Sequence, residues 1–440
     1  TGVGSHLPEA IMEVGTFEHQ YAAGFALVSD LDGTLLPAPK SNGLGGTSHP
    51  PLAEGPAYAP LVELVRAGGT VVAVTGSQFS THRVRFFDAM PLKLRRTGRV
   101  LLSVESGSRL YRADPNSGEP HEDLHFQQVA FAGARPRFEP VLVDALVAIG
   151  RLGLRRFYTD LLDNPNMLES SDHAAIAAHV SLLVVEAAAA GASADAPVSL
   201  DPSVCPRIEV RGDGAAVVFV GVPSRFGSRY FDVLELDALV GLVGADGNRP
   251  SELVDGRPTG RLCFDCVPAG VGKATVMRYL LQRGEVAPGR ALCLGDRPLG
   301  NDEGLAEWAH PDAWARLPEG SASQLRATAD NECGPVPFIS VAESLELVPA
   351  FLHAFHAGAN AQGSAAVLIA LCAWLAEASP TAAPAEAVPP FHGAQARALA
   401  AGTRHALARS PRASTDVQPC LPTPKKEAAR HVVTAALGST

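Results

Sequence analysis

Two aspartates spaced two residues apart follow a short apolar run near the start of the chain. The run, residues 25–29, predicts a buried strand that ends at Asp30 and Asp32. Residues two apart on an extended chain point to the same side, so the two carboxylates should lie together. Gly33 and Thr34 then turn the chain. Two neighbouring acids repel each other and need a cation, and the carboxyl end of a parallel strand is where ligands bind.

Further polar residues follow other apolar runs. Thr75 ends a second predicted strand and Gly76 follows it, while Asp296 ends a later one. Lys273 begins an amphipathic helical pattern that precedes Asp296 along the chain. Strands joined by a helix are usually parallel neighbours, so Thr75 should emerge at the same sheet edge as Asp30. Three strand ends and one ammonium group are therefore expected to converge.

This ordered set resembles the motifs of the haloacid dehalogenase-like phosphohydrolase superfamily. The first motif reads Asp30-Leu-Asp32-Gly33-Thr34-Leu35, the second matches Thr75, the third Lys273, and the fourth Gly295-Asp296 with Asn301-Asp302. The fourth motif has two more residues between its halves than the common form. The resemblance covers roughly residues 24–340 and is closest in general look to the C2-capped sugar-phosphate phosphatases, the sucrose-phosphatase and Cof-like branches.

The resemblance implies an α/β fold. Its core would be a Rossmann-like parallel sheet, interrupted by an inserted α+β cap domain and followed by a helical C-terminal extension. The predicted boundaries are 1–113 for the first part of the core, 114–260 for the cap, 261–340 for the second part of the core and 341–440 for an Ala/Pro-rich, partly disordered helical tail.

The resemblance also implies a chemistry and a site. The reaction would be Mg²⁺-dependent hydrolysis of a small phosphorylated metabolite, a sugar phosphate above all, through an aspartyl-phosphate on Asp30. The implied catalytic residues are Asp30, Asp32, Thr75 and Lys273; the phosphate-binding residues are Gly33, Thr75, Gly76 and Lys273; the Mg²⁺ ligands are Asp30, Asp32 through its carbonyl, Asp296, and Asn301 or Asp302. Two alternatives stay open: a phosphohexomutase, and a non-catalytic assembly subunit that retains the hydrolase fold.

Composition and net charge limit the classes of molecule that could be the main partner of this protein. The chain has 440 residues, of which 46% are hydrophobic, and a formal net charge of −10, which argues against nucleic acid or an anionic membrane as the main partner. The longest apolar run in the tail, residues 365–376, is too short to span a bilayer, so we expect no membrane insertion. A small phosphorylated substrate is the predicted partner, and the C-terminal tail is a candidate docking element for a protein.

The location is predicted from cysteine content and the N-terminus. Seven cysteines are too few for a disulfide framework in so long a chain and suggest a reducing compartment. No signal peptide pattern is visible, and Thr1 stands where a start Met would, so a processed product is expected. We expect a cytoplasmic or organelle-interior protein, with a plastid as one candidate, that is not secreted.

Several other signals are interpreted as structural. His121, Glu122 and His125 match a zinc-protease spacing but follow a Gly/Pro-rich turn, and we expect them at the start of a cap helix. Cys263 and Cys266 would face opposite sides of a strand, which suits neither zinc nor redox chemistry.

Two remaining signals lie beside the motifs. The segment 270–275 is similar to a nucleotide-binding loop but lacks its first glycine and its hydroxyl, which argues against a nucleoside triphosphatase. His82, Arg83 and Arg85 follow the second motif, and we predict a solvated helix face for them, with substrate contact as the alternative.

Overall fold

Strand β1, Ala26–Asp30, lies inside an eight-stranded sheet, and all five of its residues are buried. The computed structural model describes residues 22–37, 40–41, 47–48, 50–131, 136–169, 207–241, 247–259, 262–317, 334–343, 354–378 and 390–409. Its other strands are β2 (Lys40–Ser41), β3 (Thr47–Ser48), β4 (Thr70–Val74), β5 (Val100–Val104), β6 (Arg109–Ala113), β7 (Pro120–Glu122), β8 (Arg207–Arg211), β9 (Ala216–Val220), β10 (Val254–Pro258), β11 (Cys263–Pro268), β12 (Ala291–Gly295), β13 (Phe338–Ser340) and β14 (Phe355–His356).

The large sheet has the order β14-β13-β12-β1-β4-β5-β6-β7. Its strands from β14 to β5 run parallel, and β6 and β7 are antiparallel additions. In this register Asp30 lies opposite Val74 and Ser29 lies opposite Leu294. Thr75 follows β4 and Asp296 follows β12, so both leave the sheet beside Asp30, which confirms the expected convergence of strand ends.

Helices cover both faces of this sheet and one face of a smaller sheet. The helices are Tyr58–Arg66, Phe79–His82, Leu92–Arg95, Leu124–Ala130, Pro140–Asp163, Gly227–Tyr230, Glu235–Val240, Lys273–Gln282, Glu303–Ala306, Asn360–Ala378 and Gly393–Arg409, with a π-helical turn at Arg83–Phe87. Short 3₁₀ turns lie at Leu52–Glu54, Glu105–Gly107, Pro165–Met167, Ser224–Phe226, Pro250–Leu253, Glu307–Ala309 and Pro311–Arg316.

The smaller sheet is antiparallel, has the order β10-β11-β9-β8, and forms the inserted α+β unit. The helix Pro140–Asp163 packs on it through a second hydrophobic cluster that includes Leu146, Phe157 and Phe219. Gly150 permits the close approach, because a Cβ there would lie 2.4 Å from the Phe219 ring. The α/β core with its inserted α+β cap is thus as predicted.

The strand pairing differs from the predicted division of the chain at two points. The strand expected to open the second part of the core, β11, pairs with β9 and β10 in the smaller sheet, so the core resumes with the helix that begins at Lys273. At the other boundary, β7 and the helix Leu124–Ala130 stay with the large sheet, because Phe126 is buried in its core. Neighbourhood along the chain does not decide which of two sheets a strand joins.

The C-terminal extension contributes to the core. Residues 355–356, part of the tail predicted to be helical, form β14 beside β13, while residues 360–378 of that tail form the helix Asn360–Ala378. Leu368, Leu371 and Leu375 of that helix are buried in the main hydrophobic cluster. By length and composition alone, it is also the one described helix that could cross a membrane, with half of the relevant window buried inside the protein. Residues 170–206 of the predicted cap and residues 379–389 and 410–440 of the predicted tail lie outside the described residues.

The packing of this helix predicts a large difference between two neighbouring positions. Leu371→Ala should lower the free energy of unfolding by about 2–5 kcal/mol, because Leu371 is fully buried and its truncation leaves a cavity. Ile369→Ala, on the 61% exposed face of the same helix, should change it by less than about 0.5 kcal/mol. Urea unfolding midpoints compare the two variants, and equal midpoints would contradict the burial of this helix.

Candidate active site

A buried ammonium group lies between two carboxylates at the tip of β1. Lys273 Nζ donates hydrogen bonds to Oδ1 of Asp30 and, at 2.6 Å, to Oδ1 of Asp302, and all three side chains are almost completely buried. Burial alone would lower the pKa of Lys273, but the charges of Asp30 and Asp302 raise it above its usual range. Lys273 is therefore a fixed positive charge against the predicted nucleophile.

Asp302 closes the loop that carries the two additional residues of the fourth motif. Its Oδ2 accepts hydrogen bonds from the backbone N–H groups of Asp296 and Arg297, both at 2.9 Å, while its own N–H donates to the Arg297 carbonyl. Gly295 makes room for it, because a Cβ there would lie 2.5 Å from Asp302 Oδ2. The insertion is thus accommodated as a turn, and both Asp302 oxygens already have partners. Oδ1 of Asn301 is buried and has no hydrogen-bond partner among the described residues.

Negative charge at this site exceeds the positive charge available. Oxygens of Asp30, Asp296 and Asp302 lie within 4.8 Å of one another. Burial, and secondarily the charge of Asp302, raise the pKa of Asp296 to about 7. Burial also raises the pKa of Asp30 well above its usual range, against the opposing pull of Lys273. A divalent cation that prefers carboxylate oxygens, such as Mg²⁺, fits this donor set and would relieve the excess charge.

Gly33 lies directly beside the acidic cluster. Its φ of +83° is in the left-handed region, and a Cβ there would lie 2.6 Å from Asp296 Oδ2. Any larger residue would therefore strain the turn and push the Asp296 carboxylate away.

Asp32 belongs to a second group of side chains on the other side of Asp30. Its Oδ1 accepts a hydrogen bond from Arg85 Nη1 at 3.0 Å, and its Oδ2 lies 3.0 Å from His82 Nε2. His82 Nε2 is also 3.3 Å from Thr75 Oγ1, which accepts a further bond from the Ser77 N–H at 3.1 Å. Although burial acts in the opposite direction, His82 and Arg85 hold the pKa of Asp32 well below its usual range. Asp32 is therefore ionised in the free protein.

The predicted solvated face of His82 and Arg85 is wrong. His82 is 0% exposed and Arg85 is 9% exposed, and only Arg83, at 41% side-chain exposure, lies on the surface. A histidine and two arginines within four residues look like a polar surface when only composition is considered. Their shared partner, Asp32, is 50 or more residues away in sequence, so the signal that would have identified this group is tertiary.

The turn at Thr75 and Gly76 is held from two directions. From the core, the Ser106 N–H donates to the Thr75 carbonyl at 3.0 Å, and Ser106 adopts a left-handed φ of 58° to do so. From the cap, Arg211 Nη1 donates to the Gly76 carbonyl at 3.2 Å. Gly76 thus lies at the contact between the two units.

The face of the smaller sheet that lies opposite its helices carries charges, and sequence reasoning missed them. Arg211 lies 3.8 Å from Asp265, which is buried, and forms a 2.6 Å ion pair with Glu209. Burial raises the pKa of Asp265, partly offset by Arg211. The alternation of charged and apolar residues in β8 was the available signal, since Arg207, Glu209 and Arg211 must share one face.

The residues that match a zinc-protease spacing lie in two different elements. His121 and Glu122 lie in β7, whereas His125 lies in the next helix, which begins after the N-cap Asp123, so these residues do not share one helix. That helix packs on the core rather than the cap, contrary to its predicted place.

The cysteine pair behaves as expected. Cys266 is buried among the cap's helix-facing side chains, while Cys263 packs on the opposite face of the sheet, and both are free thiols.

Position and topology together identify the architecture. An aspartate pair ends a central parallel strand, the second and fourth motifs leave the flanking strands beside it, and an α+β cap is inserted before the lysine. The core has the α/β arrangement that the resemblance to haloacid dehalogenase-like hydrolases implies.

Comparisons with known proteins give structural similarity alone. No family model matches the chain, and no curated protein matches it. Sucrose-phosphatase from Synechocystis sp., solved with sucrose and phosphate, is 15% identical with a TM-score of 0.40 over 80% of this chain and 98% of that one. The C-terminal domain of C. albicans trehalose-6-phosphate phosphatase is 14% identical with a TM-score of 0.45 over 80% of this chain and 95% of that one.

A third match is more partial. N-terminally truncated, IMP-bound IMP-nucleotidase from Plasmodium falciparum is 12% identical with a TM-score of 0.35, and the match covers 64% of each chain. The chain thus spans less than two thirds of that protein's length.

Proposed function

We propose that this protein is a Mg²⁺-dependent phosphatase that hydrolyses a small phosphorylated metabolite through an aspartyl-phosphate on Asp30. The observation that supports this most is the buried Lys273 between Asp30 and Asp302, with Asp296 alongside. A carboxylate attacks an anionic phosphate monoester only where neighbouring positive charge reduces their repulsion. This cluster holds the nucleophile and its counter-charge in one place.

In the first step, a carboxylate oxygen of Asp30 attacks phosphorus as the bond from phosphorus to the leaving oxygen breaks. Lys273 stays protonated and offsets charge on Asp30 and on the phosphoryl oxygens. Asp32 transfers a proton to the leaving oxygen. Because Asp32 is ionised in the free protein, that proton enters with the substrate. The phosphate group of the substrate loses its second proton with a pKa of about 6, so the monoanion carries the proton that Asp32 passes on.

In the second step, Asp32 accepts a proton from water as the water oxygen attacks phosphorus. The bond between Asp30 and phosphorus then breaks, which restores the Asp30 carboxylate, and the proton held by Asp32 leaves with inorganic phosphate. The Thr75 hydroxyl and the backbone of Gly33 and Gly76 would hold phosphoryl oxygens during both steps.

Asp30 and Asp296 are the proposed side-chain ligands of Mg²⁺, with the Asp32 carbonyl as a third oxygen. Asp302 would orient the loop that carries Asp296 and would not bind the ion itself. Its Oδ1 accepts a hydrogen bond from Lys273, and its Oδ2 accepts hydrogen bonds from backbone N–H groups of that loop. When bound, the ion supplies charge neutralisation for the crowded carboxylates and the phosphoryl group.

A sugar phosphate is the proposed substrate class. The charged face of the smaller sheet presents a guanidinium donor next to a carboxylate acceptor, Arg211 beside Glu209. Such an alternation suits a leaving group rich in hydroxyls, each of which both donates and accepts a hydrogen bond.

The direct test is a panel of phosphorylated metabolites, incubated with and without Mg²⁺. Release of inorganic phosphate from at least one sugar phosphate, abolished by EDTA and restored by Mg²⁺, is the expected result. Chromatography of the sugar products separates a mutase, which would return an isomerised sugar phosphate. No phosphate release from any compound would overturn the proposal.

The metal ligands give a second, independent readout. Mg²⁺ should raise the melting temperature of the wild-type protein in a concentration-dependent way, because it binds the folded state. Asp296→Asn should remove most of that dependence and raise the Mg²⁺ concentration for half-maximal activity more than about tenfold. Asp312→Asn is the control, because the Asp312 side chain is 85% exposed and does not belong to the acidic cluster. An unchanged Mg²⁺ dependence in Asp296→Asn would remove Asp296 from the ligand set.

A further inference from the structure

The Asp32 carboxylate is exposed on one side and held on the other. Its side chain is 46% exposed, yet each of its oxygens has its own partner, Arg85 for Oδ1 and His82 for Oδ2. An exposed aspartate at a turn normally rotates about its side-chain bonds. Here two buried groups, on the same short stretch of chain, fix the plane of the carboxylate.

Both partners retain a polar atom that nothing else satisfies. His82 Nδ1 and Arg85 Nε are buried without a hydrogen-bond partner among the described residues. Each such atom costs folding free energy, so stability does not account for a histidine and an arginine at these two positions. What they do achieve is a two-sided contact with Asp32.

The backbone is shaped to provide this contact. The helix Phe79–His82 continues into a π-helical turn, Arg83–Phe87, closed by a 2.7 Å bond from the Asp88 N–H to the Arg83 carbonyl. π-helical turns are rare and often lie at functional sites. Along this turn Arg83 faces outward to pair with Asp88, while Arg85 faces inward to Asp32.

We propose that His82 and Arg85 are positioning residues that hold the Asp32 carboxylate with its free lone pairs toward the phosphoryl group, so that Asp32 can pass a proton to the leaving oxygen. The inference rests on the proposed phosphatase function and assigns two residues beyond it. His82 also touches Thr75 Oγ1, so the same imidazole connects the proton-transferring carboxylate to the predicted phosphate-binding hydroxyl.

A substrate pair separates positioning of Asp32 from a general loss of folded enzyme. The alkyl phosphate is the sugar phosphate that the panel shows to be hydrolysed, and its leaving oxygen needs a proton, whereas p-nitrophenolate departs without one. The ratio kcat/KM reports only steps up to departure of the leaving group, so it isolates the first step. A variant that merely unfolds in part would lower kcat/KM for both substrates by the same factor.

We expect Arg85→Met and His82→Leu to lower kcat/KM for the alkyl phosphate roughly ten- to a hundredfold more than for p-nitrophenyl phosphate. This factor is part of the rate acceleration that general acid catalysis typically provides. His82→Gln keeps an N–H donor near the Asp32 carboxylate and should recover part of the loss. If His82→Leu does not fold, His82→Gln still allows kcat/KM for the two substrates to be compared.

Arg83→Met is the matched control. Arg83 lies two residues from Arg85 on the same turn but pairs at the surface with Asp88 and Glu119, so both kcat/KM values should stay near those of the wild type. Equal losses for the two substrates in Arg85→Met and His82→Leu, or no loss, would overturn the positioning role.

The two proposals fail in different ways. A wild-type protein that releases phosphate from neither substrate, nor from any compound of the metabolite panel, in Mg²⁺ would overturn the phosphatase function, and with it the role of His82 and Arg85. A wild-type protein that hydrolyses both, but whose ratio of kcat/KM values does not move in the variants, would overturn the positioning role alone.

Discussion

Asp30→Asn is expected to lower phosphate release by more than about 1000-fold while leaving the fold intact. An amide of the same shape cannot act as the nucleophile. It still accepts a hydrogen bond from Lys273, and Lys273 keeps Asp302 as its charged partner. Because burial already raises the pKa of Asp30 well above its usual range, removal of this charge should change the free energy of unfolding by less than about 1 kcal/mol.

Phosphate release and thermal unfolding, measured on the same preparation, test this separation of activity from stability. Asp213→Asn is the control for an aspartate-to-asparagine change, since its side chain is 93% exposed and its left-handed φ of 53° suits asparagine. An Asp30→Asn protein that releases phosphate at the wild-type rate would end the nucleophile assignment. A grossly unfolded variant would instead show that the Asp30 charge is needed for the fold.

Sequence reasoning succeeded where continuous buried runs end in polar residues. The strands β1, β4 and β12 are mostly apolar and almost entirely buried, and a parallel sheet brings the ends of such runs to one edge. The convergence of Asp30, Thr75 and Asp296 followed from that rule. The helix of Lys273 was equally clear, because its apolar side chains recur at helical spacing.

Sequence reasoning failed where the residues that surround a side chain come from distant parts of the chain. β11 has the composition of a core strand, and only its pairing with β9 places it in the cap. The alanine-rich helix Asn360–Ala378 looked like an appendage, yet its leucines fill the main core. Docking of the tail on a protein partner stays a prediction, as does the predicted location.

The fourth motif illustrates the limit within the site itself. The family resemblance implied that Asn301 or Asp302 would reach the metal, and Asp302 does lie in the acidic cluster. Its additional bonds to backbone N–H groups of its own loop were not predictable, because they depend on how the two inserted residues turn. Spacing along a chain therefore located the acid without defining its role.

Replacement of Lys273 should have the largest effect on stability. Lys273→Met should lower the free energy of unfolding by about 3–5 kcal/mol, because it leaves Asp30 and Asp302 buried without a counter-charge. Arg278→Met, at an exposed position of the same helix, should change it by less than about 0.5 kcal/mol. Phosphatase activity should be lost in Lys273→Met alone.

The deficit of Lys273→Met should grow with pH, and this sign distinguishes a lost counter-charge from a packing defect. Burial favours the protonated form of Asp30 in the folded state, so the folded protein binds that proton more tightly than the unfolded chain. The stabilisation that protonated Asp30 contributes is complete below its pKa in the unfolded chain. It is lost as pH rises through its pKa in the folded protein. Without Lys273 this loss should be larger, so metal-free urea unfolding at pH 5 and pH 8 should show the smaller deficit at pH 5. An equal deficit at both pH values would mean that Lys273 stabilises the core by packing and not by charge.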